Sequence, residues 1–293
     1  MRVPATSANL GPGFDALGLA LTLYDDVVLR VAESGLLVDI AGEGADELRR
    51  DRRNLVVKAV NRMFAELGGQ PRGLEVVCAN RIPQARGLGS SAAAVVAGLY
   101  AARGVVVGGP ERLDDDHLLR IAVELEGHPD NVAACLYGGL SLAWQDTTGP
   151  QHVALDVTAE LEPVAFVPAT RGSTSKARRM LPETVPHADA AHTAGRAALL
   201  VEAMARRPEL LLPATEDRLH QSYRADAMPR SAKLVEKLRA AGIPAVMSGA
   251  GPTVLALTTQ DNAEAAAGLA GTTFDVQRLG IDREGARVLP VDA

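Results

Sequence analysis

A chain of 293 residues is long enough for one large or two moderate domains, and two is the expected division. With 47% hydrophobic and 23% charged residues it has the composition of a folded globular protein, which excludes a disordered chain. Its net charge of -6 is opposite in sign to the basic surface that a nucleic-acid backbone requires, so nucleic acid is excluded as the expected partner; a nucleotide, whose phosphates local backbone dipoles can hold, is not.

The first 21 residues carry a polar turn, SANLGPGFD, ahead of an apolar run that is either helical or extended. They lack a basic start followed by an apolar core, so no secretory signal is expected. Alternating polarity over 27–40 about Ser34-Gly35 predicts a hairpin with one wet face. Helical spacing predicts helices over 54–67, 91–103, 118–126 and 188–205, and short apolar runs predict strands over 74–79, 138–144, 164–168 and 246–258. The stretch 92–109 is the most apolar, but Arg103 and several glycines interrupt it, so no membrane span is expected. Cys78 and Cys135 stand far apart without a CxxC partner, which predicts no disulfide framework, no structural zinc and a reducing cytoplasm. A change of composition over 146–163 marks the connection between two halves, 1–157 and 158–293. Strands and helices do not alternate strictly, which favours an α+β fold.

Four segments carry chemistry. In RIPQARGLGSSAAA, residues 81–94, a glycine loop runs into an alanine-rich helix. Such a junction is an anion site: Gly87 and Gly89 allow close backbone approach, the first helical N–H groups are free, and Ser90 and Ser91 add hydroxyls. No lysine follows the last glycine, so this is not a Walker loop; the glycines alternatively serve only the turn. Around Gly11-Pro12-Gly13, Asn9 and Asp15 are either aimed into one pocket or are a turn residue and a helix cap. In VELEGHPDN, residues 123–131, Glu124, Glu126, His128, Asp130 and Asn131 crowd a helix end. That end is either a ligand site, with Glu124 as a donor to nucleotide-bound magnesium, or a solvated acidic terminus closed by Gly127 and Pro129. SGAGPTV, residues 248–254, permits close approach to a ligand or to another backbone.

In series, SANLGPGFD, PQARGLGSSAAA and SGAGPT resemble the signature segments of the GHMP kinases, the superfamily named for galactokinase, homoserine, mevalonate and phosphomevalonate kinases. SANLGPGFDALGLAL with ELEGHPDNVAA is similar to its homoserine branch in particular. The resemblance implies an N-terminal α+β domain with a left-handed βαβ crossover and a ferredoxin-like C-terminal domain, with ATP and Mg2+ between them. It implies phosphorylation of the side-chain hydroxyl of L-homoserine on the route to threonine. By the same resemblance Pro83, Gln84, Ala85, Arg86, Gly87, Leu88, Gly89, Ser90, Ser91, Ala92 and Ala93 hold the phosphates, Asn54 sits near the adenine, and Ser91 and Glu124 bind the metal. Asn9, Asp15 and His128 line the amino-acid pocket with Thr174, Arg178 and Arg224, for which Arg171 and Arg179 are rivals; a homodimer is the family-level expectation.

The substrate's zwitterion needs an anion for its ammonium, which Asp15 supplies, and cations for its carboxylate, which Arg178 and Arg224 supply bidentately. Asp130 and Asn131 are the candidates for orienting the hydroxyl or the metal, with base catalysis by Asp130 as a hypothesis. Two other readings stand: a GHMP kinase for mevalonate or a sugar, and a binding or regulatory protein of this fold without catalysis.

Overall fold

The computed structural model describes residues 1–289. β1 (Arg2–Asn9) turns at Gly11-Pro12 into β2 (Gly13–Ala32), so the run after the polar turn is extended. β2 is 20 residues long because it serves three neighbours. Its first part pairs antiparallel with β1 and, at Leu17 to Leu19, with β5 (Leu140–Asp146); from Asp26 onward it pairs with β4 (Gly73–Asn80). β3 (Gly35–Gly42) lies parallel to β4, and β6 (Gly149–Leu155) closes the other edge, giving the order β3-β4-β2-β5-β6.

The hairpin expected over 27–40 does not form. Both strands and the Ser34-Gly35 turn are present, but β4 inserts between β2 and β3. Gly73 opens β4 against the turn, where a Cβ would lie 2.5 Å from Ser34 backbone carbon, so only glycine allows the wedge. Local alternation fixes which face is wet; it carries no information about the strand next door.

α1 (Leu55–Leu67) is capped by the Asn54 side chain and ended by Gly68 at φ 78°. α2 (Ser90–Gly104) is buried almost all round, and Gly98 lets it approach the Val56 carbonyl of α1. Each fully buried side chain such as Val95 or Leu99 contributes about 1.5–3 kcal/mol, which holds this helix and the loop before it in place. α3 (Gly109–Arg112), α4 (Asp115–Glu126) and α5 (Pro129–Tyr137) complete the layer over the sheet.

The second sheet runs β10 (Phe274–Arg278), β7 (Val164–Pro168), β9 (Val254–Ala256), β8 (Ala245–Met247). Between its strands lie α6 (Thr174–Arg179), α7 (His187–Ala205), α8 (Leu211–Ala214), α9 (Gln221–Arg224), α10 (Pro229–Ala240) and α11 (Gln260–Gly268). With strands in chain order taken as 1 to 4, the spatial order is 4-1-3-2, with helices after the first and third, the ferredoxin-like arrangement. The single strand expected over 246–258 is two strands, because Gly249 and Gly251 at positive φ break it.

The chain leaves the first sheet after Leu155 and enters the second at Val164, and we propose the 157/158 division within that connection. The halves are not cleanly sequential, however. Residues 279–287 return to the first sheet, where Arg287 pairs with Arg2 and Ile281 with Leu21. Asp282 anchors the return: its carboxylate accepts from the Gly285 N–H at 2.6 Å, the Tyr24 hydroxyl at 2.8 Å and Arg287 at 2.9 Å. No helix of the described residues is long and apolar enough to cross a membrane.

Candidate active site

A cleft of about 420 Å³ is lined by residues from both halves, and its floor, middle and far end differ in chemistry. The floor is apolar. Val27, Cys78 and Ile40 are register partners across β2, β4 and β3 and face the cleft together with Leu48, Leu55, Val56 and Ala97. Asn54 stands at this end, but as the cap of α1: its Oδ1 accepts from the Val56 and Val57 N–H groups and its amide donates to the Arg49 carbonyl at 2.8 Å. Asp25 also faces the cleft; it accepts from the Arg81 and Ile82 N–H groups at 2.6 and 2.8 Å, and burial pushes its carboxyl up to about 6 against those two bonds.

In the middle, α2 begins at Ser90 behind Gly89 at φ +69°, which has no side chain to cap the helix, so the N–H groups of its first turn lack a side-chain partner where Gly89, Ser90 and Ser91 line the cleft. The glycines are also needed for a second reason. A Cβ on Gly87 would strike the Ser248 carbonyl, and one on Gly89 the Thr6 hydroxyl, so their backs are pressed against the protein's own chain while the loop's other side faces the cleft. The loop is held from outside. Ser248 donates its hydroxyl to the Gly87 carbonyl at 2.6 Å, the Gly172 N–H donates to the Ala85 carbonyl at 2.7 Å, and the Thr253 N–H donates to the Arg86 carbonyl at 3.1 Å. Thus SGAGPT packs against the loop's backbone, and its Gly249, Ala250 and Gly251 also line the cleft. Gln84, Ala85, Gly87, Gly89, Ser90, Ser91 and Ala93 line the cleft. Pro83, Leu88 and Ala92 are buried outside it, and Arg86 points to the Pro168 and Ala169 carbonyls, so these four do not face a ligand with their side chains.

Glu124 is not at the site. It lies on the outer face of α4, its side chain 58% exposed, paired with Arg62 at 3.0 Å. Glu126 lies there instead, lining the cleft and accepting from the Ser91 hydroxyl at 2.7 Å, and burial raises its carboxyl above the usual range. Helical phase decides between them. Leu119, Ala122 and Val123 are buried, and 126 extends that stripe by i+7, i+4 and i+3, whereas 124 follows Arg120 on the wet side.

At the far end, Asn9, Asp15, His128, Asp130, Asn131, Thr174, Arg178 and Arg224 all line the cleft. Asn9 and Asp15 both have positive φ, and the Asn9 amide oxygen accepts the Asp15 N–H at 2.9 Å, which aims the Asp15 carboxylate at Arg178, 2.7 Å away. Arg224 is 3% exposed and its Nε has no partner. The two rivals sit elsewhere: Arg171 pairs with Glu47, and Arg179 is exposed outside the cleft. His128 is held below its usual pKa, first by burial and then by Arg178. Asp130, on the first turn of α5 and buried, has its carboxyl pushed up to about 6 by burial, while the Asn131 N–H donates to it at 2.7 Å. Asn131 in turn accepts from the Thr6 hydroxyl at 2.8 Å, so a short chain of bonds runs from behind Gly89 to Asp130.

An apolar slot, a free helix start and a zwitterion-sized set of opposite charges in one cleft, on this two-sheet frame, are those of a GHMP kinase. Models of the GHMP kinases N terminal domain and the GHMP kinases C terminal match residues 54–139 and 190–269. The homoserine kinase of Streptomyces coelicolor is 62% identical over 99% of this chain and 94% of its own length, and that of Streptomyces avermitilis is 62% identical over 100% and 96%. The crystal structure of homoserine kinase from Cytophaga hutchinsonii superposes with a TM-score of 0.84 at 29% identity, covering 97% of this chain and 95% of that one. The chain belongs to the homoserine kinase family of the GHMP kinases.

Proposed function

We infer that the chain transfers the terminal phosphoryl group of ATP to the side-chain hydroxyl of L-homoserine, giving O-phospho-L-homoserine for threonine biosynthesis in the cytoplasm. The observation that carries this is the Asp15–Arg178 pair with Arg224, whose Nε has no partner, beside it, at the end of the same cleft into which α2 opens. An anion and two guanidiniums match an amino acid's ammonium and carboxylate; mevalonate and sugars offer no ammonium.

The apolar floor of Val27, Cys78 and Ile40 takes the nucleobase, and the N–H groups at the start of α2 take phosphate oxygens. Ser91 and Glu126 fit magnesium: they are hard oxygen donors 2.7 Å apart, and Glu126 is a half-buried carboxylate whose charge a cation would offset. Bound there, the ion would neutralise charge on the phosphate oxygens. Among the described residues no cluster of three ligating side chains exists, which suits an ion held largely by the nucleotide. A loose phosphoryl-transfer transition state asks mainly for alignment and charge neutralisation. Asp130, with its carboxyl near 6, is matched to accept the hydroxyl proton at neutral pH, and Asn131 keeps it oriented.

An ADP-release assay with homoserine, mevalonate and galactose tests the reading. Turnover with homoserine alone is expected; preference for either other alcohol would overturn it.

A further inference from the structure

His220 reaches no solvent and does not line the cleft, yet it touches three of the elements that shape the amino-acid end. Its Nε2–H donates to the Gly11 carbonyl at 2.7 Å. Its Nδ1 stands 3.3 Å from Arg224 Nη1, and because a guanidinium only donates, Nδ1 must be the acceptor. The ring is therefore the neutral tautomer protonated at Nε2. One face stacks on Phe14 with centroids 4.8 Å apart, and the Phe14 ring also carries the Arg224 and Arg178 guanidiniums, at 5.2 and 5.8 Å. The backbone beneath is fixed by Asp217, whose carboxylate accepts the N–H groups of Leu219, His220 and Gln221.

We propose that His220 is a positioning residue for the substrate's carboxylate: it sets the plane of Arg224 and ties it to the turn that carries Asp15. This rests on the reading of Arg224 as a carboxylate ligand. Gly11 and Arg224 lie 213 positions apart in the chain, and the imidazole bonds to both. Arg224 would otherwise be a long side chain beside a like charge, free to rotate away from Arg178. Held by one hydrogen bond at Nη1 and by the face of Phe14, it keeps Nε, which has no protein partner, for a ligand. Because the same ring bonds the Gly11 carbonyl, the anion that takes the ammonium and the cation that takes the carboxylate share one spacer. The spacing between them discriminates an α-amino acid from an amine or an acid alone.

The test is a set of His220 variants assayed with L-homoserine and with 3-aminopropan-1-ol, which is homoserine without its carboxylate. His220→Gln keeps a donor for Gly11 but loses the acceptor for Arg224; His220→Asn keeps an acceptor near Nδ1 and loses the donor. His220→Gln should raise KM for homoserine about 10-fold, the scale of one hydrogen bond to a charged group, with KM for ATP unchanged and no effect on the amino alcohol. His220→Asn, which keeps Arg224 held but releases the Gly11 turn, should recover only part of that loss. A parallel rise in both KM values, or equal losses on homoserine and the amino alcohol, would reduce His220 to a packing residue and overturn the proposal. Arg224→Ala serves as the control: if it does not discriminate the two substrates, the carboxylate reading itself fails. Should the His220 variants misfold, 15N NMR of the unmutated enzyme decides, since a ring protonated at Nδ1 rather than Nε2 is incompatible with the assigned bonds.

Discussion

Replacing Glu126 with glutamine removes one negative charge from the cleft without changing its shape; replacing Glu124 does the same two residues away on the outside of α4. The structure makes the two substitutions very unequal. Glu124 and Arg62 are 58% and 30% exposed, and Arg62 keeps a second partner in Glu66, so the loss is that of a surface ion pair, about 0.2–1 kcal/mol of stability with no effect on turnover. Glu126 is a half-buried carboxylate bonded to Ser91, and its partial burial has already raised its pKa, so its charge costs free energy that a cation offsets. At an effective dielectric of about 20, two unit charges 4 Å apart attract by about 4 kcal/mol, and removing one preorganised electrostatic group from an active site costs about 2.7–4 kcal/mol. Glu126→Gln should therefore lower kcat/KM about 100- to 1000-fold and shift the magnesium requirement to higher concentration. The assay is coupled ADP release across a magnesium series, with circular dichroism to verify folding. If Glu124→Gln were the more damaging variant, or if Glu126→Gln stayed within about threefold of the parent, well under 1 kcal/mol, the assignment of the metal carboxylate to position 126 would be wrong.

Asp130 titrates near 6, so a role as proton acceptor predicts activity that falls as pH is lowered through about 6 and a limb that disappears in Asp130→Asn; near-normal turnover of that variant at neutral pH would remove the base. Asp25 has a folded pKa of about 6 against an ordinary value of 3.8, so the native state holds the proton more tightly and stability drains away as pH rises through that window. Relative to the parent, Asp25→Asn should gain up to about 3 kcal/mol between pH 4 and 7 by urea unfolding, whereas a difference independent of pH would contradict the burial reading. Gly89→Ala combines left-handed backbone with a clash against Thr6 and should cost about 1–3 kcal/mol and weaken ATP binding, read by thermal unfolding and calorimetry; unchanged affinity would mean the loop does not hold phosphate.

Much of the site is legible in the sequence because it lies on motifs with local rules. Asn54 before an apolar-periodic run, and glycine before Ser90-Ser91, are signals that a single helix start explains. The separation of Glu124 from Glu126 was equally available in the burial stripe of Leu119, Ala122 and Val123, since residues two apart on a helix face nearly opposite ways. What stays hidden depends on partners distant in the chain. Gly73 marks a strand that inserts between β2 and β3, but nothing near it names those neighbours. Likewise Gly87 and Gly89 look made for phosphate, and only the fold reveals Ser248 and Thr6 behind them. Thr6, Asp25 and His220 are ordinary residues in apolar or unremarkable context, and their importance comes from Asn131, from the Arg81–Ile82 backbone and from Gly11 and Arg224.

The return of residues 279–287 to the first sheet brings Arg2 and Arg287 into mutual backbone pairing, each N–H donating to the other's carbonyl at 2.8 and 3.0 Å. Residues 2 and 287 thus lie side by side, at either end of the described segment between them. A short glycine-serine bridge could join residue 287 to residue 2, and the chain could be opened instead at the exposed Thr147-Thr148 turn, which lies outside the cleft. Severing the chain at 157/158 is a different operation, for it would strip β1 and β2 of a segment that folds back from the opposite end.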